Sequence, residues 1–161
     1  MSSIASFIRL PESALGALRD AAIPTKGRFG VVKDRYHDYL LEHGRAVVQY
    51  NWPGYVLATL LPDREEKHGI DLAKSPHDEL ATFLTQARGA THYVLTEAHR
   101  AAFCDRLDPQ GFSEAELREY FNEFNGTNEP EVARAMLDGI AALHQCLRQI
   151  HSSSLVLLII G

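Results

Sequence analysis

The chain has little of what marks the more recognisable classes of protein. It holds only two cysteines in 161 residues, Cys104 and Cys146, and each falls inside an apolar helical pattern. That predicts reduced, packed thiols rather than a disulfide framework. The longest apolar run, Leu155 to Ile160, has six residues, far below the ~20 needed to cross a bilayer. No membrane span is expected. Basic residues are scarce relative to acids, 16 against 21, for a formal charge of -5. A chain so charged lacks the basic face that replaces phosphate counterions, which argues against nucleic acid and suits a basic partner.

Motifs of catalysis are missing as well. There is no G-x-G-x-x-G or G-x-x-x-x-G-K-[ST] cradle for nucleotide phosphates and no G-x-S-x-G elbow for acyl transfer. No cofactor is expected. The opening MSSIASFIRL interleaves its apolar residues with serines and lacks the basic and apolar regions of a signal peptide, so a cytoplasmic location is the expectation.

What is present is an ordinary globular composition, 45% hydrophobic and 23% charged, with no low-complexity tract and no solenoid repeat. One domain over residues 1–161 is the natural reading, since a chain this long buries roughly 70% of its unfolded surface around a single core. The architecture is best read from its last stretch. Val132, Met136, Ile140, Leu143, Leu147 and Ile150 step by fours and threes, placing them on one face of a helix, with Arg134, Asp138, Gln145 and Arg148 opposite. Three serines then lead into LVLLII, whose burial at ~1.5–3 kcal/mol per side chain is on the order of 10 kcal/mol before entropy. A run like that belongs in the middle of a sheet, covered on both faces, with the preceding helix as one cover.

Earlier elements follow from local signals. Ile4, Phe7, Ile8 and Leu10 predict a strand; Pro11 opens a helix carrying Leu15, Leu18 and Ala22; Thr25 to Gly30 reads as a solvated, mobile basic loop able to touch an anion. Asp34 is a candidate N-cap for a helix through His43 that Gly44 ends. Ala46 to Tyr50 is β-prone and Asn51-Trp52-Pro53-Gly54 is a turn. Tyr55 to Leu61 could return as a hairpin strand, but its apolar residues fit the helical period better, and Pro62 either kinks that helix or opens another that Gly69 ends. Further helices are predicted from Ser75-Pro76-His77-Asp78, from Thr96, and from the capping box Ser113-Glu114-Ala115-Glu116, with a short strand over His92 to Leu95. The sum is an α+β domain. A small mixed sheet with the C-terminal strand central is packed by five to seven helices, and its first and last strands are candidates to pair.

Several of these pieces resemble the YfbM-like family of small bacterial proteins of unknown function. The likeness is carried by Ile4-Ala5-Ser6-Phe7-Ile8 with Leu15 and Leu18, by Tyr93-Val94-Leu95-Thr96-Glu97, by Ser113 to Arg118, and by the closing helix with its β-rich end. In the middle only Tyr36 to Gly44 looks like a counterpart, with the family's tryptophan replaced. The resemblance implies an α+β domain and a cytoplasmic bacterial setting, and it supplies no activity.

Chemistry-bearing residues give two readings. The aromatics Tyr36, Tyr39, Tyr50, Trp52 and Tyr55, with His37 and His43, form the candidate binding residues, because tyrosine and tryptophan set a large apolar face beside a polar tip. They support a non-enzymatic ligand-binding or protein-interaction module, acting through a protein partner or a homodimer. The alternative is a small metal-dependent or histidine-based hydrolase centred on His37 and His43. Their spacing of six does not put two imidazoles on one helical face, so a metal site there would need an acid such as Asp38 or Glu42 and ligands from elsewhere.

Overall fold

The computed structural model describes residues 3–161, so the first two residues of the N-terminal stretch lie outside the description. In chain order the elements are β1 (Ala5–Pro11), α1 (Leu15–Ala21), β2 (Thr25–Lys26), β3 (Val32–Lys33), α2 (Tyr36–His43) and β4 (Arg45–Val48). Then come α3 (Gly54–His68), α4 (Asp78–Arg88), β5 (Thr91–Leu95), α5 (Glu97–Phe103), α6 (Glu114–Asn125), α7 (Val132–Arg148) and β6 (Ser154–Ile160). This is the expected α+β domain with β6 inside a four-stranded sheet of order β4-β1-β6-β5. Its pairings are antiparallel throughout, where a mixed sheet was expected. The reason is the chain path: β1 and β6 meet in opposite senses over seven paired positions, Ala5 with Ile160 through Pro11 with Ser154.

Side chains alternate across this sheet and divide the core in two. On one face Ala5, Phe7, Leu95, Val156, Leu158 and Ile160 pack against α3, α6 and α7. On the other Leu10, Val94, Leu155 and Leu157 pack against α1, α2 and α4. Leu157 and Leu158 are both fully buried, on opposite sides of one strand. The apolar period of α7 makes it the cover of the first face, and Gly139 lets α3 approach it: a Cβ there would lie 3.0 Å from Leu60 Cδ2 and 3.2 Å from Leu57 Cδ2.

Local departures have local causes. Pro11 closes β1 rather than opening a helix, and a single 3-10 turn over Glu12–Ala14 leads into α1. The expected mobile loop is instead a β-hairpin, in which Thr25 pairs with Lys33 and Lys26 with Val32, held by Gly27 N–H donating to the Val31 carbonyl at 2.8 Å. Two-residue strands give no alternation to read. Tyr55 to Leu61 is helical, and α3 runs through Pro62 to Gly69, whose φ of +64° is the left-handed stop that glycine favours. Gly44 ends α2 for a different reason, since its φ is -102°. There a Cβ would meet Ile8 Cγ2 at 2.5 Å and the Leu40 carbonyl oxygen at 2.7 Å, so the position requires absence of a side chain. Ser113 precedes α6 without a side-chain capping bond, so the capping box foreseen there does not form. Among the described residues no helix is long and apolar enough to cross a membrane.

Candidate functional site

The helices on the second face of the sheet do not cover all of it. Register places Ile8 beside Leu157 and Val94, then Ser6 beside Ile159 and His92, as successive rows on that face. Leu157 and Val94 are buried. The next row is the open one: between α2 and the end of α4 it floors a cleft of about 330 Å³, where Ile4, Ile8, Leu40, Ala90 and Ile159 supply apolar surface. Ser6, Tyr36, His37, Arg88 and His92 supply its polar groups. A mostly apolar concavity with a few convergent polar groups is the usual form of a small-molecule site.

The polar walls are fixed by one continuous set of bonds. Asp34 accepts the Tyr36 backbone N–H at 3.1 Å, acting as the helix cap from one residue before the position where a cap normally sits. Its carboxylate takes both ends of the Arg88 guanidinium, at 3.1 and 2.7 Å, and Arg88 also donates to the Ala22 carbonyl at 3.3 Å. That guanidinium lies 4.5 Å from the centre of the Tyr36 ring. The hydrogen bonds with Arg88 and with the Tyr36 N–H hold the Asp34 carboxyl below its ordinary value.

The tyrosine reaches onward to a buried imidazole. His92 Nδ1 lies 2.7 Å from the Ala90 carbonyl, an acceptor only, so Nδ1 carries the proton and donates. Nε2 is then the acceptor, and the Tyr36 hydroxyl donates to it at 2.6 Å. Both residues are 3% exposed. Burial lowers the His92 pKa, with the Arg88 charge adding to the effect, and burial pushes the Tyr36 phenol up to about 12. The pair is therefore neutral at physiological pH, with both ring nitrogens committed. Such a pair positions; it has no proton ready to exchange with a substrate.

His99 is the second buried histidine. Its Nδ1 accepts the Thr96 N–H at 2.9 Å at the start of α5, and its Nε2 donates to the Lys74 carbonyl at 2.7 Å. It staples a loop to a helix, neutral because burial lowers its pKa.

The residues singled out by sequence do not share one surface. Tyr36 and His37 belong to the cleft just described. Tyr39 and His43 pack on each other, ring centres 4.4 Å apart, facing away from it; Tyr39 donates to the Ala14 carbonyl at 3.0 Å and His43 lies 3.8 Å from Glu42. Tyr50, Trp52 and Tyr55 lie on the other side of the sheet. Tyr50 is buried with its hydroxyl donating to the Ala135 carbonyl at 2.9 Å, Trp52 Nε1 donates to Asp138 at 2.8 Å, and Tyr55 packs against Phe121. Strand β1, with its pleat, separates the two groups. Tyr50 and Trp52 do line a smaller cleft of about 220 Å³ against α7, where their polar atoms are already spent on α7.

Neither thiol is activated. Burial raises Cys104 and, more strongly, Cys146. Among the described residues no group of three or more His, Cys, Asp or Glu is placed to hold a metal ion. Sequence reading missed Arg88, His92, Ser6 and Ile159, which the fold brings together from three strands and a helix. The one signal available was the alternation His92, Val94 in a short strand, which puts a histidine on the same face as a core valine. Comparison with family models, with curated proteins and with solved structures returns no match to this chain.

Proposed function

We propose that the chain is a non-enzymatic binding module whose site is the cleft at the open end of the sheet, between α2 and α4. The observation that carries this reading is the combination of an apolar floor, Ile8, Leu40 and Ile159, with walls held rigid by the Asp34–Arg88 and Tyr36–His92 bonds. Pre-organisation of that kind lowers the cost of binding, because the walls lose little freedom when a ligand arrives. At about 330 Å³ the site suits a small, largely apolar molecule with one hydrogen-bonding group, met by Ser6 or His37 at the rim. A cytoplasmic setting and kinship with the YfbM-like family go with this proposal.

The hydrolase reading centred on His37 and His43 has less behind it. His37 borders the cleft, whereas His43 packs against Tyr39 at the far end of α2. The test is occupancy. Small aliphatic and aromatic acids and amides titrated into labelled protein should shift the NMR amide signals of Ser6, Arg88, His92 and Ile159 as one group. Ile159→Trp, which fills the floor from a partly exposed position, should abolish those shifts without lowering the melting temperature. Shifts that survive it, or that cluster elsewhere, would overturn the assignment.

A further inference from the structure

The hairpin of β2 and β3 is an anomaly on this surface. Phe29 at its tip is 101% exposed and touches nothing, and its φ of +69° is a left-handed conformation that a bulky residue adopts only where the turn imposes it. Val31 and Val32 are 59% and 57% exposed. Lys26, Arg28, Lys33 and Arg35 surround them on a chain whose net charge is -5. A tip that is both apolar and basic presents what a protein normally hides or spreads out.

Its complement lies on the same molecule. The hairpin joins the end of α1 to the start of α2, and between these two helices runs an open cleft of about 420 Å³. Ala17, Ala21 and Tyr39 form its apolar base, and the acids Asp20, Asp38 and Glu42 outnumber the one base in its lining, Arg35. The tip stands off its own cleft, since Phe29 has full exposure. We propose that two copies of this chain pair about a two-fold axis, each inserting its Phe29 tip into the α1–α2 cleft of the other. The arrangement is self-complementary, as a two-fold interface must be: tip meets cleft and cleft meets tip. An aromatic ring enters an apolar base while Lys26 and Arg28 face Asp38 and Glu42. The same cleft argues against an anionic membrane or nucleic acid as the occupant, because either would bring phosphate against three carboxylates beside the tip.

Sedimentation of the full chain across concentration and salt tests this. Wild type should form dimers that weaken as salt rises, since the pairs are at the rim and are screened. Lys26→Glu/Arg28→Glu and Asp38→Lys/Glu42→Lys should each be monomeric, and an equimolar mixture of the two should dimerise again, because the mixed pair has one contact with its native charges and one with the charges exchanged. Phe29→Ser removes the ring from a position with no contacts within its own copy, so it should melt as wild type does at concentrations where both are monomeric, and weaken the dimer at least about tenfold. A wild type that is monomeric at every concentration would overturn the proposal. So would dimers indifferent to these reversals, or tip-dependent binding to phosphatidylserine vesicles in place of self-association.

Discussion

Replacing Tyr36 by phenylalanine removes one oxygen atom and isolates the contribution of the network behind the cleft. The hydroxyl donates to His92 Nε2 at 2.6 Å in a place where both residues are 3% exposed. Without it, the imidazole keeps its Nδ1 proton on the Ala90 carbonyl and is left with a buried lone pair that has lost its protein partner. Protonating that nitrogen is no escape, because the new N–H would face a phenyl ring and the charge would sit near Arg88. An unsatisfied buried acceptor costs about 1–3 kcal/mol, whereas a neutral surface hydroxyl would cost a few tenths. Urea unfolding of Tyr36→Phe should therefore show a lower midpoint with an unchanged slope, as expected when stability changes and the exposed area does not. His92→Phe removes the other partner, and the double variant should lose less than the sum, with a coupling of about 0.5–3 kcal/mol. A loss under about 0.5 kcal/mol for Tyr36→Phe, or strict additivity in the cycle, would refute the claim that this bond is made and buried.

Gly44→Ala should destabilise by about 1–3 kcal/mol, since the added methyl meets Ile8 Cγ2 at 2.5 Å and a helix carbonyl at 2.7 Å that cannot yield. Gly111→Ala, with nothing within 4 Å, should stay within about 0.5 kcal/mol in the same thermal or urea measurement. Stability should also fall in mild acid: burial holds His92 and His99 below the ordinary 6.5, so the unfolded chain binds protons first and stability rises with pH across that window. The contribution is complete above 6.5 and is lost as pH drops through the folded-state values. The depressed Asp34 carboxyl adds a separate loss below its ordinary 3.8. A flat stability profile between about pH 7 and 5, or one that His99→Gln leaves unaltered, would contradict this.

The parts of the fold that could be read in advance are those where one pattern decides the outcome. In α7 five apolar residues keep a strict helical step, Ile150 just past its end continues it, and all six are buried. In β6 an unbroken apolar run leaves no polar face to expose, so the strand lies inside the sheet and is buried on both sides from Leu155 to Leu158, with Ile159 partly open to the cleft. Tyr55 to Leu61 follows the same logic, with the helical period outweighing the turn signal before it. The hairpin at Thr25–Lys33 was not legible because two-residue strands are too short to alternate, and its pairing depends on a tip conformation that neither Phe29 nor its neighbours announce. The Gly44 case shows another limit. Sequence supplies a glycine at a helix end, where left-handed geometry is the usual reason, but the cause here is the side chain of Ile8 on a strand 36 residues earlier.

The candidate site was half legible for a related reason. Clustering in sequence between Tyr36 and Tyr55 suggested one aromatic surface, yet the chain crosses from one face of the sheet to the other within β4 and the turn after it, so the cluster divides. What sequence could not show is that α2, only eight residues long, serves two clefts. Tyr36 and Leu40, four apart, face the open end of the sheet, and Asp38 and Glu42, also four apart, face α1. Residues at that spacing lie on one side of a helix, so the two pairs occupy different sides and can be changed independently. The position of α2 is common to both, set at its start by Asp34 and Arg88 and at its end by the close approach of Gly44 to β1. A ligand that settles against Tyr36 and Leu40 would therefore act on the α1–α2 cleft only by moving the whole helix, and the contacts at its two ends resist that motion.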